Sequence, residues 1–318
     1  MLILKNKSLT FISLALIVFG IVACSPQNIL KTNTSPKKVS EPNQSPEVQK
    51  TIVLADISDN PQKKIRTIQP LADYLAANSD QFDLGKVKIA RDMDTMIAWL
   101  KSGEVDLYID SPYPAMLAMN GANAKPILRR WKKGNAEYYS VIFTMKDNNI
   151  NSLSDLKGKI IAFEDPFSTT GYMLPLAKLI ESGLNPIEKS VYSTQVSKEY
   201  VGYVFSYEDE NSLEWLLSGK VEAAATDNQS FEKLSAEIKN KSLILAKTDK
   251  LARNLVMVRE DMLVDQIEEI SSILLAMDKT NKGKAVLKKF NKTTKFDKIP
   301  NDNSLNKIQD LYQKYQNK

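Results

Sequence analysis

From Thr51 onward the apolar positions of this chain fall into two rhythms. Short, nearly continuous apolar runs (Thr51–Ala55, Val87–Ala90, Tyr139–Thr144, Lys159–Phe163 and Leu255–Val258) have the length and composition of buried strands. Between the first two, Ile65, Ile68, Leu71 and Leu75 fall toward one side of a helix, which Pro70 either kinks or restarts. One stretch occurs twice. Ala98-Trp99-Leu100-Lys101-Ser102-Gly103-Glu104-Val105 and Glu214-Trp215-Leu216-Leu217-Ser218-Gly219-Lys220-Val221 each read as a helix stopped by glycine, a tight turn and a strand entered at valine. Each strand then ends in polar residues, Asp110-Ser111-Pro112-Tyr113 in the first and Thr226-Asp227-Asn228 in the second. Strands alternating with helices, in two echoing halves, predict an α/β protein of two lobes, each a mainly parallel sheet flanked by helices. The chain is expected to cross twice between them, with residues 51–140 and 254–318 in one lobe and 141–253 in the other. The roughly 265 residues from Thr51 onward suffice for two such units.

The first 50 residues follow neither rhythm. Lys5 and Lys7 precede an apolar run, Phe11 to Ala23, that is short for a transmembrane span and has the layout of a secretory signal over residues 1–23. It ends in Ile21-Val22-Ala23-Cys24, which resembles the bacterial lipobox, where cleavage precedes a lipidated cysteine. Cys24 is the sole cysteine of the chain, so no disulfide can form within it; the other reading is a buried thiol in an uncleaved anchor. Ser25 to Lys50, rich in Ser, Pro, Asn, Gln and Lys and free of aromatic residues, reads as a flexible spacer. The expectation is an exported chain held to a bacterial membrane by lipid at Cys24.

Composition narrows the chemistry. Net charge is +5, of which Lys5 and Lys7 supply two, too little to argue for nucleic acid. The basic run Lys279 to Lys295 reads as a solvated helix face or, alternatively, a patch that attracts anions or a membrane surface. The chain has no histidine, which removes Ser-His and Cys-His nucleophile pairs, HExxH zinc sites and any histidine base. No phosphate-cradling Gly-x-x-x-x-Gly-Lys loop and no CxxC pair occurs, and Ser154-Asp155-Leu156-Lys157, with the spacing of a Ser-x-x-Lys nucleophile, looks like a helix start. No enzyme, metal site or cofactor is expected.

The strand at Lys159–Phe163 runs into Glu164-Asp165-Pro166-Phe167-Ser168-Thr169-Thr170-Gly171 and then a helical pattern. Three hydroxyls at a helix entry either cap the free N–H groups of the first turn or bind an anion there. In parallel sheets ligands sit beyond the carboxyl ends of the strands. Ser111 to Tyr113, Ser168 to Thr170 and Asp227 all fall at such ends, so three polar strand ends on two lobes can converge on one cleft.

Ile150-Asn151-Ser152-Leu153-Ser154-Asp155-Leu156-Lys157-Gly158-Lys159, followed by Asp165-Pro166 and Ser168-Thr169-Thr170-Gly171-Tyr172, resembles the PhnD-like phosphate, phosphite and phosphonate substrate-binding proteins of ABC transporters. Pro70-Leu71-Ala72-Asp73-Tyr74-Leu75, Gly103-Glu104-Val105-Asp106 and Leu251-Ala252-Arg253-Asn254-Leu255-Val256-Met257-Val258-Arg259 extend the likeness over about residues 50 to 275. The resemblance implies a type II periplasmic-binding-protein fold that closes on ligand, with Ser168, Thr169 and Thr170 on the phosphonate oxygens. It also implies a first-lobe tyrosine, Tyr113, and an acid for a ligand amino group, Asp227. Ser111, Gly171 and Glu208 complete the candidate set. Where the family often carries a Ser-His-Asp-like stretch, this chain reads Phe205-Ser206-Tyr207-Glu208-Asp209, putting acid or phenol in place of a donor. The function implied is that of a monomeric, non-enzymatic lipoprotein delivering a small oxyanion to an ABC permease and ATPase. The alternative is a module of the same fold that takes another solute, such as a sulfonate or vitamin precursor, or feeds a sensor. Cys24→Ser is expected to abolish lipidation and release the protein from membranes; continued fractionation with salt-washed membranes would refute the anchor.

Overall fold

The computed structural model describes residues 49–300 together with 306, 309, 310, 312 and 313. The signal, Cys24 and all but the last two residues of the spacer lie outside them.

The first half lays down β1 (Thr51–Ile57), α1 (Pro61–Ala76), β2 (Leu84–Ala90), α2 (Met93–Ser102), β3 (Leu107–Asp110), α3 (Pro112–Ala122) and β4 (Lys125–Lys132). The short β5 (Glu137–Tyr138) leads to β6 (Ser140–Met145), β7 (Ile160–Phe163), α4 (Leu174–Glu181), β8 (Pro186–Glu188), β9 (Val201–Phe205), α5 (Asp209–Leu217), β10 (Ala223–Asp227), α6 (Asn228–Glu232), α7 (Ala236–Lys241) and β11 (Ser242–Lys247). The return runs through β12 (Leu251–Ala252) to β13 (Asn254–Val258), α8 (Val264–Ala276), α9 (Asn281–Lys289) and β14 (Thr293–Asp297).

These strands build two six-stranded sheets, in the orders β14-β4-β13-β3-β1-β2 and β11-β6-β10-β7-β9-β8. β1 is parallel to β2 and β3, and β7 is parallel to β9 and β10. The strand that enters each sheet after a crossing is antiparallel to both neighbours: β13 between β3 and β4, and β6 between β10 and β11. The apolar runs Tyr139–Thr144 and Leu255–Val258, on either side of the crossings, therefore already lie within the sheets they enter, as β6 and β13. The crossing itself is the ladder of β5 with β12, Tyr138 opposite Leu251 and Glu137 opposite Ala252. Two residues per strand are too few to show a period.

Each sheet is buried on both faces. Ile68 and Leu71 of α1, Ile270 and Leu274 of α8 and Leu287 of α9 cover one face of the first sheet; Met96 and Leu100 of α2 with Ala115 and Ala118 of α3 cover the other. Leu179 of α4 and Leu216 of α5 lie on opposite faces of the second sheet. Double burial explains why the strands read as continuous apolar runs rather than alternating ones. α1 passes through Pro70 as one helix, and Ile65 near its start remains 37% exposed, because the buried stripe begins only at Ile68.

The repeated stretch folds the same way twice. Gly103 and Gly219 are left-handed, at φ 74° and 71°, a conformation that costs glycine little. The carbonyl of Trp99 accepts from the N–H groups of Glu104 and Val105, and that of Trp215 from Lys220 and Val221. The acid that follows each valine then caps the neighbouring strand: Asp106 accepts from the Val53 N–H and Glu222 from the Ile160 N–H.

Gly85 marks where α1 lies closest to the sheet: a Cβ there would stand 2.3 Å from the Ala72 carbonyl carbon and oxygen. Backbone cannot swing aside as a side chain can, so Gly85→Ala is expected to cost at least about 1–3 kcal/mol. Denaturant titration checks this; an unchanged midpoint would mean that α1 is not seated on β2.

Candidate functional site

The carboxyl ends of the parallel strands of both sheets open onto one cavity of about 730 Å³. Ser111, Ser168, Thr169, Thr170, Glu208 and Asp227 all line it, brought from both halves of the sequence. Tyr113 and Gly171 are not among its lining residues. The Tyr113 ring turns away to stack against Tyr172 and Tyr312, beside Met116, Met173, Leu174 and Leu251. Gly171 stands behind the wall, where a Cβ would come within 2.6 Å of a Glu164 carboxylate oxygen and 2.8 Å of the Ser168 hydroxyl.

The three hydroxyls that follow β7 have different duties. After Ser168 the chain makes a π-helical turn, Thr169–Met173, before α4 begins; such turns recur at functional sites. The Ser168 hydroxyl accepts from the Gly171 N–H at 2.9 Å and donates to Glu164 at 2.6 Å. Thr169 Oγ1 accepts from the backbone N–H of Tyr113 at 2.9 Å, which ties this turn to the start of α3. The Thr170 carbonyl accepts from the Ser140 hydroxyl. Capping by Ser168 therefore coexists with cleft lining by all three residues.

Charge around the cavity is divided. Asp56, Asp59 and Asp110 line it from the first sheet and its loops, whereas Glu164, Asp165, Glu208, Asp209, Glu210 and Asp227 line it from the second. The basic lining residues, Lys64, Arg91, Lys132, Lys133 and Arg253, all come from the first half of the fold and the return crossing. Burial first, and then Asp209, pushes the Glu164 carboxyl up to about 8 against the pull of the Ser168 hydroxyl. Asp209 is likewise raised by burial, restrained by hydrogen bonds from Thr226 and Ser230. Burial works in the same direction on Asp227, but Arg253, the Ser230 hydroxyl and the N–H groups of Gln229 and Ser230 outweigh it and bring that carboxyl below its ordinary value. Among the described residues, no group of three or more His, Cys, Asp or Glu side chains is arranged to hold a metal ion.

One residue of the cavity escaped the sequence reading, and the backbone of another was not legible in it. Arg253, read there only as part of a resemblance, is 6% exposed, lies over the Tyr138 ring at 4.8 Å and approaches Asp227 at 3.6 Å. Its Nε and Nη1 have no hydrogen-bond partner among the described residues. Tyr207 lines the cavity 69% exposed on a left-handed backbone, φ 65°. A bulky residue in that region is strained, and such strain clusters at binding sites.

Two sheets joined by two crossings, with one polar cavity at their carboxyl edges, define a two-lobed solute-binding protein of the type II periplasmic-binding-protein fold. A family model described as ABC transporter, phosphonate, periplasmic substrate-binding protein matches residues 56–303, and the chain belongs to that family. The phosphate-import protein PhnD of Mycolicibacterium smegmatis is 35% identical over 99 residues, a match spanning 30% of this chain and 31% of that relative. Among solved structures, XAC2383 from Xanthomonas citri bound to ATP superposes with a TM-score of 0.79 at 24% identity, covering 84% of this chain and 98% of that one. PhnD1 from Prochlorococcus marinus in complex with methylphosphonate superposes at 0.63 and 18%, over 84% and 98%. At these identities the structural likeness is one of fold.

Folded, Glu164 keeps its proton up to about pH 8, whereas unfolded it releases it near 4.5. The native state thus holds the extra proton between those values, and this group's contribution to stability falls as pH rises through that window. Glu164→Gln, which retains an acceptor for Ser168, is expected to lessen the slope and to raise the melting midpoint more at about pH 8 than at about pH 5. Equal pH dependence in the two proteins would refute the burial assigned to this carboxyl.

Proposed function

We propose that this protein is the solute-binding component of an ABC importer, capturing a small oxyanion such as a phosphonate, phosphite or phosphate between its lobes and delivering it to a permease driven by an ATPase. The observation that carries the reading is the cavity, to which both sheets contribute polar strand ends and which both crossings border. In this reading residues 51–140 with 254–318, and residues 141–253, are the lobes that close on ligand. Ser111, Ser168, Thr169, Thr170, Glu208 and Asp227 face the ligand, with Tyr113 and Gly171 supporting the turn from behind. The protein acts as a monomer without catalysis, exported and held to the membrane by lipid at Cys24. No helix among the described residues is long and apolar enough to cross a membrane.

The second-half wall favours a refinement. Six of its lining side chains are carboxylic acids and none is basic, so an oxyanion that also carries an amine is better matched there than a bare dianion. Binding to the folded state alone raises the melting midpoint with ligand concentration. Phosphate, phosphite or methylphosphonate is expected to do so, and an aminoalkylphosphonate more strongly. Asp227→Asn is expected to weaken the amine-bearing compound selectively, as measured by calorimetry. No shift with any of the four compounds would overturn the assignment.

A further inference from the structure

Of the four acids clustered at the hydroxyl turn, Glu164 is the least satisfied. Asp165 accepts from the Phe167 N–H, and Asp209 from the Thr226 and Ser230 hydroxyls. Asp227 accepts from the Gln229 and Ser230 N–H groups and has Arg253 beside it. The Glu164 carboxyl has one hydrogen-bond partner among the described residues, the Ser168 hydroxyl at 2.6 Å, and no cation pairs with it there. The charges that face it are Asp165 on its own loop, Asp209 at the start of α5 and Asp227 at the end of β10. A carboxyl so placed, short of donors and among like charges, keeps its proton. Burial and Asp209 carry it up to about 8.

The backbone fixes where this carboxyl stands. The Glu164 N–H donates to the Gly171 carbonyl, and the Glu164 carbonyl accepts from the Tyr207 N–H. Gly171 lies so close that a Cβ there would meet both the Glu164 carboxyl and the Ser168 hydroxyl. A hydroxyl has one proton to give and two lone pairs. One lone pair of Ser168 takes the Gly171 N–H at 2.9 Å. The approach of Ser168 to Glu164, oxygen to oxygen, serves a proton running in either direction. With Glu164 neutral, its proton fills the second lone pair, and the Ser168 proton is left for an oxygen in the cleft. With Glu164 ionised, Ser168 must donate to it and turns a lone pair to the cleft, which repels an oxyanion.

Resting on the reading that the cleft takes an oxyanion at the Ser168–Thr170 turn, we propose that Glu164 is a positioning residue whose proton makes Ser168 a donor to the ligand. The Thr170 hydroxyl, which makes no hydrogen bond among the described residues, donates beside it whatever the state of Glu164. Glu164 thus tunes one donor of the seat and favours a ligand oxygen that carries no proton of its own.

The test is calorimetry with phosphite and methylphosphonate between pH 6 and pH 9 on the wild type, Glu164→Gln, Ser168→Ala and the double variant. The Gln amide offers Ser168 an N–H at every pH and so fixes the donating form. The quantity read is the affinity of Glu164→Gln divided by that of the wild type. The ligand's own ionisation enters both alike, as does that of Lys132, whose amine burial, Arg130 and Arg253 hold down to about 8. The ratio is expected to stay level below about pH 7 and to rise about tenfold by pH 9. Ser168→Ala lacks the hydroxyl through which the proton acts, so the same ratio measured in that background should rise much less. If Glu164→Gln proves unfolded by its melting curve, the pH profile of Ser168→Ala decides, and it should be flatter than that of the wild type. A ratio level across the whole range, or one that rises as steeply without Ser168, overturns the inference while leaving the proposed function standing. A wild type that binds neither anion overturns both.

Discussion

The fold depends on a chain that leaves one sheet before that sheet is finished. β13 lies inside the first sheet, between β3 and β4, yet it is made only after the whole of the second sheet. Until it arrives, the facing backbone groups of β3 and β4 lack partners, and unpaired groups in a sheet buried on both faces are costly. The second sheet likewise has β6, its first strand, inside between β10 and β11. Each sheet is completed through a crossing, and the crossings meet in the two-residue ladder of β5 and β12. Tyr138 and Arg253, at or beside that ladder, are thereby held at the floor of the cleft, one stacked on the other.

Around that constraint the two halves repeat their scaffolding and differ at their ends. In both, the turn after a glycine-stopped helix hands a tryptophan carbonyl two N–H groups, and the acid three residues after the glycine secures the neighbouring strand. In the first half Arg259 pairs with that acid, Asp106, at 2.9 Å. At the other end of the same strands the halves diverge, to Asp110-Ser111 in one and Thr226-Asp227 in the other. A rigid repeated frame that carries different polar tips is how a fold acquires a particular ligand without changing its architecture.

Electrostatics gives the cleft a direction. All its basic lining residues belong to the first half and the return crossing, while the second half contributes acids and hydroxyls. Burial holds Glu164 protonated well above its ordinary range, which reduces the repulsion among the acids of that wall. The wall is therefore less negative at neutral pH than its composition implies.

Much of this was legible in the sequence, because the signals were local. Doubly buried strands read as continuous apolar runs, the glycine stops at Gly103 and Gly219 announced their turns, and the repeat around Trp99 and Trp215 exposed the two-part architecture. The polar tips Ser111, Ser168, Thr169, Thr170 and Asp227 could be named because they follow strands. Only the tertiary structure decided which way they point. It turned the Tyr113 ring into an aromatic cluster, left Ile65 at the surface and made Thr169 the acceptor for Tyr113. It alone brought Arg253, from the return crossing, beside Arg130 and Lys132, from a strand laid down more than a hundred residues earlier. An arginine in a short bridge has no period and no neighbouring pattern to mark it. Its Nε and Nη1 are buried without a hydrogen-bond partner among the described residues, and burial is settled only when the sheets close around it.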